Sequence, residues 1–255
     1  VKVFSISNQK GGVGKTTTAV NISASLVTLK KKVLLIDLDP QCNATSGCGI
    51  ERYGLSFSIA KVLLGKCSLS QAIIRPENMQ FDLLPSDSDL LGMELQLANL
   101  ANRERILSNA LKKLEDDAYD IVVIDSPPAL GLLSLNALVA ANSVIIPVQC
   151  EYYSLEGLSD LLNTIEAVKQ TYNQTLEVDC VIRTMYDPRS RLSRDVSNQL
   201  FRHFSDKVMK CTIPRTIRLA EAPSHGRSIV DYDANSSGSI AYQAMANELL
   251  SRKLI

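Results

Sequence analysis

Three short runs in this chain are apolar without interruption: Val33-Leu34-Leu35-Ile36, Ile121-Val122-Val123-Ile124 and Val144-Ile145-Ile146. A strand with one wet face alternates apolar and polar residues. An unbroken apolar run belongs instead to a strand covered on both faces, as in a parallel sheet between two helical layers. Strands are expected at residues 2–7, 33–37, 81–85, 120–125, 143–149, 178–184 and 208–213. Helical patterns fill the intervals at 15–29, 103–115, 132–141, 155–172, 193–204 and 239–252, while 47–78 reads as short helices and loops. This alternation predicts right-handed crossovers and an α/β fold, a single doubly wound, mainly parallel sheet with helices on both faces. Such sheets bind ligands beyond the carboxyl ends of their strands, so the residues that follow each strand carry the functional information.

Composition narrows the class. With 255 residues, 45% apolar and 21% charged, the chain suits one large domain over 1–255 and is neither disordered nor collagen-like. Lys+Arg and Asp+Glu both number 27, which removes the argument for a globally basic nucleic-acid binder. No apolar run approaches the ~18 residues that cross a bilayer, and the N-terminal residues lack a signal peptide's basic and apolar regions. Six cysteines occur without a C-x-x-C pair. Reduced core thiols and a cytoplasmic location are the expectation.

The first strand runs into Asn8-Gln9-Lys10-Gly11-Gly12-Val13-Gly14-Lys15-Thr16-Thr17-Thr18, where a helix begins. Glycines let the backbone turn tightly and aim successive N–H groups inward, and the helix N-terminus adds its own unpaired donors and partial positive charge. Lys15 is placed to reach outer phosphates and the Thr16 hydroxyl to bind Mg2+. The strict G-x-x-x-x-G-K-[ST] pattern fails, because Gln9 stands where its first glycine belongs, and a second lysine, Lys10, precedes the glycines. A glycine-rich turn without a ligand is the competing reading. Few such turns combine strand, three glycines, Gly-Lys-Thr and helix in this order.

Two other expected strands end in acids, in Asp37-Leu38-Asp39-Pro40-Gln41 and Asp125-Ser126-Pro127-Pro128. An acid at the end of a buried strand beside a phosphate loop can hold Mg2+ or position a nucleophilic water. Taken singly, each could merely cap the next helix. Together with the loop they converge on one rim.

These three segments resemble the deviant Walker A, switch and Walker B segments of the ParA/Soj chromosome- and plasmid-partition ATPases. Pro147-Val148-Gln149-Cys150-Glu151, Thr184-Met185-Tyr186-Asp187-Pro188-Arg189 and Ile213-Pro214-Arg215-Thr216-Ile217-Arg218-Leu219-Ala220-Glu221-Ala222-Pro223-Ser224-His225-Gly226 extend the likeness along nearly the whole chain. The resemblance implies a slow, partner-stimulated ATPase, with ATP and Mg2+ as cofactors, that forms a homodimer on binding ATP. Its nucleotide contacts would come from Lys10, Gly11, Gly12, Val13, Gly14, Lys15, Thr16 and Thr17. Lys10 would cross to the partner subunit's nucleotide, where a cation supplied in trans neutralises developing phosphate charge as an arginine finger does. By the same likeness Lys15 and Asp39 join Lys10 in catalysis, Asp39 orienting the attacking water. Thr16, Asp37, Asp39 and Asp125 would serve the metal. Glu151 would approach the partner's ribose, and Met185 and Pro214 would border the adenine. Thr216 departs from the family pattern, which usually has Asn there. The start of the chain at the first strand resembles the short form of the family, without a separate DNA-reading domain.

Charge is uneven along this neutral chain. Residues 183–227 hold ten Lys and Arg against four Asp and Glu, a net +6. Arg189 and Arg218 match positions that bind DNA in similar proteins. With no recognition helix, zinc finger or stacking platform in the sequence, contacts to nonspecific double-stranded DNA would be to phosphates and strongly salt-sensitive. A solvated, salt-bridged surface is the alternative. The resemblance also implies a ParB-type centromere-binding partner and a nucleoid-associated location. A MinD-like, membrane-associated division-site ATPase shares the loop and acids. It needs an amphipathic C-terminal extension, and Leu249, Leu250 and Leu254 read more simply as the core face of a last helix. Iron–sulfur carriers need cysteines that this pattern lacks. A metabolic kinase or amide ligase needs an acceptor pocket that no motif identifies.

Overall fold

The computed structural model describes residues 1–152 and 154–255. Its strands are β1 (Lys2–Ile6), β2 (Val33–Asp37), β3 (Asp82–Leu84), β4 (Ile121–Asp125), β5 (Ser143–Gln149), β6 (Glu177–Thr184) and β7 (Val208–Thr212). They form one sheet in the order β3-β2-β4-β1-β5-β6-β7, with every neighbouring pair parallel. Alternate residues of each apolar run enter different cores. Leu34, Ile36, Val122 and Ile124 pack into one layer with the helices Leu90–Leu97, Leu132–Ala140 and Ser154–Thr171. Val33, Leu35, Ile121 and Val123 pack into the other, against the helices Lys15–Thr28 and Ser237–Ser251. Burial on both faces explains why these strands show no polar alternation.

The chain leaves β1 toward β2 on one side, while β5 lies on the other, so the winding reverses at β1. Its carboxyl end is therefore the sheet's switch point and binding crevice. Register fixes what meets there: Asp37 pairs with Asp125, and Asp125 with Ile6. Both strand-end acids and the loop that follows Ile6 stand at one level of one rim.

Differences from the sequence pattern lie in the helices. The expected helix at 103–115 is a 3-10 turn, Arg103–Arg105, followed by the short helix Ile106–Leu111. The helix Leu90–Leu97 is not predicted by periodicity, because exposed Leu91 and Leu95 hide the buried stripe of Leu90, Met93 and Leu97. The irregular region after residue 47 holds the short helices Ile59–Leu63 and Leu69–Ala72, the second closed by a Ser68–Gln71 capping box. Two more, Ile217–Glu221 and Ile229–Tyr232, lie in the C-terminal third. There Gly226 (φ +60°) packs so closely that a Cβ would stand 2.8 Å from the Gly49 Cα. All six cysteines are free thiols.

Candidate nucleotide-binding site

Residues 8–14 turn over the end of β1 before the helix Lys15–Thr28 begins. Gly12 and Gly14 adopt φ of +75° and +88°, a region open mainly to glycine. No described atom lies within 4 Å of a Cβ built at Gly11 or Gly12, so the backbone borders open space. No side chain caps the helix, whose N-cap is Gly14, and its first amides remain available to an anion. The loop is tied from outside the space it borders. Asn8 Nδ2 donates to the Pro147 carbonyl (2.7 Å), and Thr184 Oγ1 donates to the Val13 carbonyl (2.8 Å).

The two lysines differ. Lys15 is buried, and its Nζ donates to the Lys10 carbonyl at 3.2 Å. Burial pushes its pKa down, while Asp125 and Asp39 draw it back up. Lys10 stands half-exposed at the rim, its Nζ 2.6 Å from Glu151 Oε2. The structure thus joins Lys10 and Glu151 within one chain.

The acids differ as sharply. Asp37 is fully buried and committed: Oδ2 accepts from Thr45 N and Oγ1, both at 2.7 Å, and Oδ1 accepts from Asp39 N at 3.1 Å. Burial still pushes its carboxyl up to about 6, against those hydrogen bonds. Asp39 Oδ1 accepts from Gln41 N (2.9 Å), and its carbonyl accepts from Ser86 Oγ (3.0 Å). Asp125 is equally buried, yet neither carboxylate oxygen has a hydrogen-bond partner among the described residues. Burial first, and Asp37 second, hold its carboxyl well above the usual range, with the Thr16 hydroxyl nearby offsetting part of the rise. Two orphaned carboxylate oxygens beside a threonine and two further acids fit a divalent cation. Among the described residues no group of three or more His, Cys, Asp or Glu side chains could by itself hold a metal ion.

Thr16 and Thr17 open the helix beside this cluster. A cavity of about 260 Å³ adjoins them, lined by residues that include Gly14, Thr17, Met185, Pro214, Thr216 and Tyr242. Met185 and Pro214 therefore face one space, and Met185 takes a left-handed φ of +49° at the turn after β6. Thr216 spends its hydroxyl as the cap of the helix Ile217–Glu221, accepting from Leu219 N. Glu151 stands apart from this cavity's lining, beside Lys10.

The sequence model of a family described as an AAA domain matches residues 1–178. The sporulation initiation inhibitor protein Soj of Bacillus subtilis (strain 168) is 46% identical, the match covering 97% of this chain and 98% of that protein. The chromosome partitioning protein ParA of Myxococcus xanthus (strain DK1622) is 44% identical over 98% of this chain and 88% of its own length. The chain belongs to the ParA/Soj family of partition ATPases. Among solved structures, cobyrinic acid a,c-diamide synthase from Mycobacterium smegmatis with bound ADP and magnesium superposes with a TM-score of 0.87. It is 39% identical, and the match covers 100% of this chain and 96% of that one.

In this ParA/Soj-family chain, Arg189 lies between β6 and the helix Arg191–Phe204, and Arg218 lies in the short helix Ile217–Glu221 after β7. Their side chains are 89% and 56% exposed. The basic third is less of a surface patch than its sequence suggests. Arg183 is buried, donating to Ser197 Oγ and to the Met209 and Lys210 carbonyls, which an irregularity between β6 and β7 leaves for it. Thr45 and Tyr242 are contributors that sequence reasoning missed. Thr45 opens no motif, and Tyr242 sits in an ordinary apolar helix, its hydroxyl 3.2 Å from Thr18 Oγ1. Among the described residues no helix is long and apolar enough to cross a membrane.

Proposed function

We propose that residues 1–255 act as a single P-loop ATPase domain that closes an ATP-sandwich homodimer, binds nonspecific double-stranded DNA and drives chromosome or plasmid partition. The observation that carries this reading is the division between the two lysines. Lys15 is buried against Asp39 and Asp125, inside its own site, whereas Lys10 stands at the rim where a second subunit can be reached.

In this mechanism the amides of residues 11–17 and the Lys15 ammonium bind the phosphates, and Met185 and Pro214 border the base. Thr16 and Asp125, with Asp37 and Asp39, would hold Mg2+, which would supply charge neutralisation at the phosphates. Asp37, locked by Thr45, fixes the backbone that carries Asp39. Asp39 orients the attacking water. Lys10 leaves Glu151 to neutralise charge on the partner subunit's nucleotide, and Glu151 turns to the partner's ribose. Both need dimer closure, which makes the intrinsic rate slow and leaves room for a stimulating ParB-type partner. Arg189 and Arg218, doubled in the dimer, bind DNA phosphates, and the protein is cytoplasmic and nucleoid-associated.

The test is binding of random-sequence duplex DNA with ATP, ADP or no nucleotide at two salt concentrations, including Asp39→Ala to preserve the ATP state. Salt-sensitive binding confined to ATP is expected. Dimerisation with ATP but no DNA binding in any state refutes the DNA role and reopens the MinD-like reading.

A further inference from the structure

The two arginines that this reading assigns to DNA are not free cations in the folded chain. Arg189 Nε and Nη2 meet Asp187 Oδ1 and Oδ2 at 3.0 and 3.1 Å, a two-point pairing of guanidinium and carboxylate. The acid is aimed by its own turn, since Asp187 Oδ1 also accepts from Arg189 N (2.9 Å) and its carbonyl from Ser190 N (3.1 Å). Arg218 is met from two sides, by Glu221 Oε2 at 3.1 Å and Asp233 Oδ2 at 3.5 Å. Glu221 is steadied in turn by the Tyr232 hydroxyl at 3.4 Å. Carboxylate and phosphate present similar oxygen pairs to the guanidinium fork, so these acids occupy the geometry that a DNA phosphate would use.

We infer that Asp187, and Glu221 with Asp233, are internal stand-ins for phosphate that mask the DNA-binding arginines, so that each contact with DNA exchanges a carboxylate for a phosphate. The inference rests on the DNA reading above and adds its regulation. Arg189 holds the Asp187 carboxyl below its usual range, and Glu221 raises the Arg218 guanidinium, as expected of engaged pairs. Masking keeps one protomer's two arginines from binding polyanions well. Four exchanges made together by a dimer outweigh the loss of the internal pairs, which sharpens the dependence on dimer closure. It also changes the salt response. Four free arginines meeting four phosphates would give a slope of log K on log salt of about −3.6. Salt weakens the internal pairs as well as the DNA contacts, so the exchanged contacts give a shallower slope.

The test is a double-mutant cycle in the Asp39→Ala background with ATP, reading the anisotropy of labelled random duplex DNA at about 50 and 200 mM salt. Asp187→Asn keeps an acceptor for Arg189 N, so the turn is retained while the charge is lost. Asp187→Asn is expected to tighten binding at low salt by about two- to thirtyfold for the two copies in a dimer, with the gain shrinking at high salt. Arg189→Ala should weaken binding and erase the gain when combined with Asp187→Asn. Glu221→Gln, Asp233→Asn and Arg218→Ala give the matching cycle on the other side. Weaker DNA binding by Arg189→Ala with no gain from Asp187→Asn overturns the masking and leaves the DNA reading standing. A gain that persists without Arg189 reduces Asp187 to net charge and also overturns it. Wild-type DNA binding by both Arg189→Ala and Arg218→Ala refutes the DNA surface, and the masking with it.

Discussion

Asp125→Asn should make the nucleotide-free protein more stable, and by an amount that depends on pH. The wild-type carboxylate is fully buried with neither oxygen hydrogen-bonded by geometry among the described residues, and an isosteric neutral amide keeps an oxygen that can accept from the nearby Thr16 hydroxyl. Burial is the leading reason that its carboxyl sits well above the ordinary range. The folded chain therefore holds a proton on Asp125 at pH values where the unfolded chain, near 3.9, has lost it. Wild-type stability falls as pH rises between those two values, by up to about 1.4 kcal/mol per pH unit, and the penalty stays constant above the folded-state value. The amide has no such proton to lose. Near pH 4 it resembles the protonated acid and the two proteins should melt together. Above that, until the folded-state value is passed, the variant should gain by up to about 3–6 °C per pH unit, taking 2–4 °C per kcal/mol for a chain of this length. Asp37, pushed up to about 6, titrates in both proteins and largely cancels in the difference. Lys15 loses one partner with the Asp125 charge, which subtracts from the gain. The assay is thermal melting from pH 5 to 8 without nucleotide, then with ATP and Mg2+, where the variant should gain less than wild type. A variant that melts below wild type throughout, or by a difference that ignores pH, refutes the reasoning.

The two lysines should separate in calorimetry and light scattering. Lys15→Ala loses ATP binding, while Lys10→Ala binds ATP as a monomer and fails to dimerise; a normal dimer from Lys10→Ala removes its role in trans. Gly226→Ala should cost at least about 1–2 kcal/mol, because a left-handed φ of +60° meets the Gly49 backbone, and its melting temperature should drop accordingly. An unchanged melting temperature would show that this close approach relaxes freely.

Much of the site was legible before any coordinates. Unbroken apolar runs dictated strands buried on both faces, and glycines at positions 12 and 14 dictated a backbone turn that other residues resist. Those are local properties, set by period and by steric limits on φ, and they placed Asp37 and Asp125 at strand ends and Lys15 and Thr16 at the start of a helix. Strand order was not local. Asp37 stands beside Asp125 because β4 inserts between β2 and β1, a pairing of segments more than eighty residues apart that no spacing encodes. Pairing of charge was decided the same way. Sequence counted three similar acids, and ten cations between residues 183 and 227. Folding committed Asp37 to Thr45, left the Asp125 carboxylate without a hydrogen-bond partner by geometry among the described residues, buried Arg183 under β7 carbonyls and closed Asp187 on Arg189. Period and sterics act between neighbours in the chain, whereas desolvation and Coulomb forces act between neighbours in space. The candidate site residues were therefore readable from the sequence, and their state of charge was settled by the tertiary structure.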